Sequence, residues 1–350
     1  MKFTTKNTKS TKKNKDITLK TFVNFVVIIM FRRDWHMRTR RLGNTDLELT
    51  VIGLGTWAIG GSWQFGWGPQ DDADSIRTIL AAIDGGINWI DTAPIYGCGH
   101  SESIVGLALR ELREKPLIAT KCGLLWNDKR EKINCLDHDS IIKECEDSLK
   151  RLGVDVIDLY QMHWPQPEAQ LEEAWEAMAT LVQQGKVRNI GASNFTVEQL
   201  QRVVAIYPPA SLQPPYSMLR RDIEEGMIDY CGQNSIGIVA YSPMQKGLLT
   251  GKFSAEHMRT LAADDHRLND PNFDGEKFQK NLSIIESLRP IAERNGKTVA
   301  QLAIAWVLRK EEITAAIVGA RKQSQIEETV QAGDWILSDE EIEEISRILE

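Results

Sequence analysis

A closed (β/α)8 barrel is the fold this sequence predicts, and three observations predict it. Eight short apolar runs read as strands buried on both faces. Segments of helical period separate them, which implies a parallel sheet covered by helices. Eight such strand–helix units suggest closure into a barrel rather than an open sheet.

Taken in order, residues 1–36 stand apart. "MKFTTKNTKSTKKNKDITLK" is polar and basic, and "TFVNFVVIIMF" is apolar but too short to span a bilayer. The run ends in "RRDWH" with no small-residue cleavage site, so a signal peptide is disfavoured. Residues 1–36 are expected to lie outside the fold, as an upstream extension from a misplaced start, with a membrane-surface anchor as the alternative. Met37 opens the first segment that reads as folded protein.

The strands are expected at "TVIGLG" (50–55), "INWID" (87–91), "LIATK" (117–121), "VIDLYQMH" (156–163), "VRNIGAS" (187–193), "SLQ" (211–213), "IGIVAYS" (236–242) and "AAIVGA" (315–320). Between them Ile76, Ile79, Leu80 and Ile83 repeat at helical spacing. So do Leu171, Ala174, Trp175 and Met178, and later Val299, Leu302, Ala303 and Trp306. A closing helix is expected from Ser338, with Glu341 completing a capping box and Ile342, Ile345 and Leu349 on its buried face. Residues 244–275 read as a long irregular connection after the seventh strand, the kind of loop that serves as a lid or binding element. The expected organisation is thus one α/β domain over 37–350, a (β/α)8 TIM barrel with extra helices and that loop. An open doubly wound sheet is the alternative.

Composition narrows the function. With 42% hydrophobic and 26% charged residues the chain is ordinary globular protein. Residues 1–36 hold seven Lys and two Arg against two Asp, so the body is more acidic than the net charge of −7 indicates. Nucleic acid is therefore not an expected partner. Cys98, Cys122, Cys135, Cys145 and Cys231 show no C-x-x-C spacing, which points to a reducing, cytoplasmic compartment.

"GLGTWA" (53–58) matches the dinucleotide fingerprint G-x-G-x-x-A, but that motif must open a helix. The continuation "IGGSWQFGWGP" is too rich in glycine, tryptophan and proline to do so. The barrel instead directs attention to Asp91 and Tyr96 after the second strand, Lys121 closing the third and His163 closing the fourth. An ammonium beside a phenol favours the phenolate and lowers its pKa, and a carboxylate keeps the ammonium charged. With His163 on the same oxygen, the set suits proton donation to a reduced carbonyl without a metal. Singly each residue has a plainer reading, Asp91 as a cap and His163 as a core histidine.

At this point the sequence resembles the aldo-keto reductases from about Met37 to the C-terminus. The carrying segments, in family order, are "GLGTWAIGG", "IDTAPIYG", "ATKCG", "YQMHWP", "IGASNF", "QPPYSML", "AYSPMQKGLLTGK" and "IVGARKQSQIEE". It looks most like bacterial members that also resemble potassium-channel β-subunits. The resemblance implies NADPH (or NADP+) extended across the strand ends. It implies Asp91, Tyr96, Lys121 and His163 as the catalytic four, with Tyr96 as donor. Ser193, Asn194 and Gln213 match residues that hydrogen-bond the nicotinamide carboxamide, and Tyr241 the ring that stacks on it.

Phosphates are expected near Ser242, Met244, Lys246, Gly247 and Leu248 and at the helix opened by "GARKQSQIEE". Arg321 and Lys322 are expected on the 2′-phosphate, with Gln325 and Glu328 near the adenine and ribose. Gly55, Thr56, Trp57, Asp91, Lys252, Gly319 and Ala320 complete the expected cofactor set. Several relatives carry a lysine where this sequence has Gly319, which leaves the margin of NADP over NAD open. Trp57, Trp63, Trp67, Trp126 and Trp164 are expected to line a pocket for a small aldehyde or ketone. No arginine stands out as a carboxylate clamp. Two other readings remain at this stage, a nucleotide-binding regulatory subunit that senses redox state and a Schiff-base lyase using Lys121. A protein partner is left open.

Overall fold

The computed structural model describes residues 37–350; the expected extension over residues 1–36 lies outside the described residues. Eight parallel strands close into a barrel: β3 (Ile52–Gly55), β4 (Trp89–Asp91), β5 (Leu117–Cys122), β8 (Ile157–Met162), β9 (Val187–Ser193), β10 (Ser211–Gln213), β11 (Gly237–Tyr241) and β12 (Ile313–Gly319). Every strand expected from the sequence is present. The barrel closes through β12 against β3, with Gly319 opposite Gly55.

Two short hairpins were not expected. β1 (Thr39–Arg41) pairs antiparallel with β2 (Glu48–Thr50), and β6 (Leu124–Trp126) pairs with β7 (Lys132–Asn134). The first follows its chain into the floor of the barrel, where Leu42, Leu47 and Leu49 pack with Trp89, Ala119, Leu159, Val239 and Ala315. Trp89 is 1% exposed and donates its indole N–H to the Thr50 carbonyl at 2.9 Å. A Cβ on Gly53 would stand 2.1 Å from that ring, so the glycine is what lets a tryptophan fill the barrel.

A second, larger apolar layer joins the outer face of the strands to the helices. The three segments of helical period form Asp72–Asp84, Leu171–Gln183 and Val299–Val307. Their starts are set locally: Asp71 accepts from the Asp74 amide, and Thr298 forms a reciprocal capping box with Gln301. The closing helix Asp339–Leu349 begins with the expected Ser338–Glu341 box; Ile345 is buried and Ile342 and Leu349 are half-buried.

The long connection over 244–275 is present as expected, with short helical turns within it. They are Ala255–Met258, His266–Asn269 and Pro271–Phe273, preceded by a kinked stretch over Gln245–Thr250. A buried bidentate pair between Arg267 and Asp265 and the Phe253–Phe273 contact fix it. Among the described residues no helix is long and apolar enough to cross a membrane.

Candidate active site

Strand ends position the four ionisable residues on one rim. Asp91 ends β4, Lys121 lies one residue before the end of β5, and His163 follows β8 directly. Tyr96 sits in the turn that carries β4 into helix His100–Glu111. That turn rests directly on the loop after β3: a Cβ on Gly97, whose φ is +66°, would stand 2.1 Å from the Gly60 carbonyl oxygen. Glycine is required there, and it sets how far Tyr96 reaches into the barrel mouth.

The Lys121 ammonium is fully buried, and its contacts define the site. It donates to Asp91 Oδ1 at 2.6 Å, to the Thr92 carbonyl at 2.9 Å and to the Tyr96 hydroxyl at 3.3 Å. His163 stands edge-on to the Tyr96 ring, with centroids 5.8 Å apart. The other carboxylate oxygen, Asp91 Oδ2, accepts from Gln161 Nε2 at 3.1 Å and Gln213 Nε2 at 2.8 Å.

Burial governs the protonation of these groups. Loss of solvation, and then the Asp91 charge, push the Tyr96 phenol well above its usual value. This reverses the expectation that Lys121 lowers it: the ammonium's charge is balanced by Asp91, and a buried phenolate has lost its water. The resting site therefore holds a neutral phenol, which is the form a proton donor needs. Burial likewise brings Lys121 below 10.5, with Asp91 opposing the shift by charge and hydrogen bond. Burial, then Lys121 and Lys132, hold His163 well below 6.5, so it is a neutral imidazole.

These residues floor a cleft of about 930 Å³ that runs from Tyr96 and His163 past Ser193, Gln213 and Tyr241 to Arg321, Lys322, Gln325 and Glu328. Gly55, Trp57, Asn194, Ser242, Met244, Lys246, Gly247, Lys252, Gly319 and Ala320 also line it. Ser242, Gln245 and Lys246 adopt left-handed backbone conformations, as does Asn194, a costly arrangement concentrated where the chain turns over the cleft. The length, the polar groups at one end and the cations at the other fit an extended dinucleotide.

Several expected residues have other engagements. Thr56 is buried under the rim, where it donates to the Asp91 carbonyl and accepts from Ser101 at 2.8 Å. Leu248 is buried in the core beside the cleft. Lys246 pairs with Asp270 at 2.6 Å and Lys252 with Glu328 at 2.8 Å. Arg321 donates to Gln70 Oε1 and the Trp67 carbonyl, each at 2.8 Å, and to the Pro69 carbonyl, so it ties the loop after β12 to the loop after β3.

Trp57, Trp63, Trp67 and Trp164 line the cleft, whereas Trp126, on the second hairpin, packs beside Ile95 and Leu124. Sequence reasoning missed Gln161, which touches both Asp91 and Gln213. A signal existed: it lies two residues before His163 in the same strand run, hence on the same inward face.

Residues 51–350 match the profile of the aldo/keto reductase family. The aldo-keto reductase YhdN of Bacillus subtilis is 42% identical over 317 residues, covering 90% of this chain and 94% of that protein. The NADH-specific methylglyoxal reductase of Escherichia coli is 36% identical over 318 residues, covering 87% and 95%. Among solved structures, the glycerol dehydrogenase of Gluconobacter oxydans superposes with a TM-score of 0.82 at 40% identity, covering 90% of this chain and 95% of that one. With the closed barrel and the grouped rim residues already described, these matches mean that the chain belongs to the aldo/keto reductase family.

Proposed function

We propose that the protein reduces small aldehydes or ketones to alcohols with NADPH, Tyr96 delivering the proton. The observation that carries this reading is the Tyr96 hydroxyl at 3.3 Å from a buried Lys121 ammonium, itself 2.6 Å from Asp91, at the floor of the cleft. When bound, the cofactor supplies a hydride to the carbonyl carbon. Tyr96 then gives its phenolic proton to the carbonyl oxygen, and Lys121 favours the phenolate left behind. His163, a neutral imidazole, donates a hydrogen bond to the same oxygen. Lys121 does not fit the role of a Schiff-base nucleophile, because its ammonium is buried and engaged with three acceptors.

The test is loss of reduced-nicotinamide absorbance with a panel of aldehydes and ketones, in the purified full chain. Turnover on at least one carbonyl supports the reading. Tight cofactor binding with negligible turnover on all of them overturns it in favour of a regulatory subunit. The cysteine spacing supports a cytoplasmic location.

The alkaline limb of the pH profile should belong to Lys121. Its folded pKa lies below 10.5, whereas Tyr96 is raised well above 10, so the ammonium is lost first as pH rises. Reduction is expected to be constant below the Lys121 pKa and to fall with a midpoint under 10.5. Asp91→Asn removes the charge that holds Lys121 protonated, so the midpoint should move further down. An alkaline midpoint unmoved by Asp91→Asn would assign the limb elsewhere.

Preference for NADPH over NADH is proposed to rest on Lys322, because much of the Arg321 guanidinium is engaged with the loop over Trp67–Gln70. Lys322→Ala should raise KM for NADPH about tenfold, as for one exposed charge-assisted contact. KM for NADH should stay within about twofold. Equal changes for both cofactors, or none, reject the phosphate contact, an outcome in keeping with the NADH-specific relative.

A further inference from the structure

We infer that Lys132 sets the substrate class: it receives the carboxylate of an aldehyde whose carbonyl lies at Tyr96, so that aldehydo acids are reduced in preference to neutral aldehydes of the same shape. This rests on the reductase reading above.

Register decides which way the hairpin β6–β7 presents Lys132. Trp126 is paired with Lys132 and Leu124 with Asn134, so these four side chains share one face. On that face Leu124 is buried with Trp63, Ala93 and Ile95, and Tyr96 packs beside them. Lys132 therefore stands on the side of the hairpin turned to the catalytic end, and it too lines the cleft. A lysine on the opposite face, where Ile133 is exposed, would serve solubility alone.

The main chain and the side chain of Lys132 have separate tasks. Its amide donates to Gln64 Oε1 at 3.0 Å, which ties the hairpin to the loop after β3. The ammonium takes no part in that tie and lies over the Phe65 ring, 6.0 Å from the centroid. After burial and Lys121, Lys132 is what holds the His163 imidazole well below 6.5, so its field reaches the catalytic end.

Among the described residues no carboxylate balances this charge. Glu131 beside it accepts from Asn127 Nδ2 at 2.8 Å, back within the hairpin. The carboxylates of the cleft lining are already engaged: Asp91 by Lys121, Asp265 by Arg267, Glu328 by Lys252 and Asp74 by Arg77, while Asp71 caps helix Asp72–Asp84. The substrate end is thus a wall of Trp57, Trp63, Phe65 and Trp164 that carries one unbalanced cation. A short aliphatic or aromatic stem between a carbonyl and a carboxylate fits both features. In the sequence Lys132 ends "DKREK", which reads as a solvated turn, and only the pairing of β6 with β7 turns it inward.

Steady-state reduction by the full chain, with NADPH and with NADH, tests this on 4-oxobutanoate and 4-carboxybenzaldehyde, each paired with its methyl ester. The readout is the ratio of kcat/KM, acid over ester. Because the Lys132 side chain is exposed, the ratio is expected to be about fivefold for at least one pair, the upper worth of one solvated ion pair. It should lie in KM rather than kcat, since the contact is made equally before and during the reaction, and it should shrink as salt is added.

Lys132→Met keeps the amide that ties the hairpin and should bring the ratio to within about twofold of unity. Lys132→Arg should restore the preference, and Lys132→Glu should invert it. A wild-type ratio at or below unity in both pairs overturns the inference and leaves the reductase reading standing. So does a preference that survives in Lys132→Met, which would place the recognising charge elsewhere. No turnover of any of these aldehydes with either cofactor overturns both.

Discussion

Replacing Tyr96 with phenylalanine is expected to lower kcat for carbonyl reduction by roughly a hundred- to ten-thousandfold, the range for loss of a positioned acid. The variant removes one oxygen and little else. The ring stays between Trp57, whose centroid is 6.4 Å away, and His163 at 5.8 Å, and Lys121 remains 5.1 Å above it. Lys121 also keeps Asp91 and Thr92 as acceptors, so the buried ammonium is not stranded. Cofactor affinity should therefore change by less than about twofold, which separates a lost proton donor from a damaged site. Steady-state turnover and dialysis on the same preparation check both halves. A variant keeping more than about a tenth of wild-type kcat would require another donor.

The effect is large because the site leaves no ready substitute for the phenol. His163 is neutral and held well below 6.5 by burial and by the two nearby lysines, so it is a poor reservoir of protons at neutral pH. His266 is nearer the tryptophans, 4.7 Å from Trp57, and burial brings it down to about 4. Its Nδ1 already lies 3.0 Å from the Gly66 carbonyl. Water remains as a donor, but without the geometry that makes transfer efficient.

How much of this was readable in the sequence depends on what kind of contact each feature needs. The eight barrel strands were legible because burial on both faces leaves a continuous apolar run. The hairpins β1–β2 and β6–β7 were not, because their strands are three residues each, too short for alternation or a run to mark them. The pairing of the first is fixed by what it covers: Leu42, Leu47 and Leu49 close the barrel floor. Asp91, Tyr96, Lys121 and His163 were legible by residue type and by falling at strand ends. Gln161 passed unnoticed because an uncharged residue inside "LYQMH" carries no obvious chemistry; its meaning comes only from Asp91 and Gln213 lying beside it in space.

Arg321 shows the same limit from the other side. Its charge and place made it a natural phosphate ligand, yet its hydrogen-bonding partners lie some 250 positions earlier in the chain. The sign of the Tyr96 shift was also beyond the sequence. A nearby ammonium can be read from motif and spacing, but the weight of burial against it depends on atoms brought in by the whole barrel. What the sequence conveyed was the set of groups, and what the fold added was their balance.

That balance can be tested on Lys121 itself. Lys121→Met should abolish reduction to the same degree as Tyr96→Phe, but with a cost to the fold that Tyr96→Phe does not incur. It leaves the Asp91 carboxylate, 3% exposed, facing two amide donors and no cation. Breaking a buried pair by removing one partner typically costs about 3–5 kcal/mol. For a domain of this size each kcal/mol lowers Tm by roughly 2–4 °C, so a fall of about 6 °C or more is expected. Adding Asp91→Asn removes the stranded charge and should restore most of that loss, because a neutral amide in the same place has lost the source of the penalty. Activity should not return, since the double variant still lacks the ammonium beside the phenol. Thermal unfolding of the two single variants and the double variant, with turnover measured on each, checks the cycle. If the double variant is no more stable than Lys121→Met, the pair is not the coupled buried unit that its 2.6 Å contact implies.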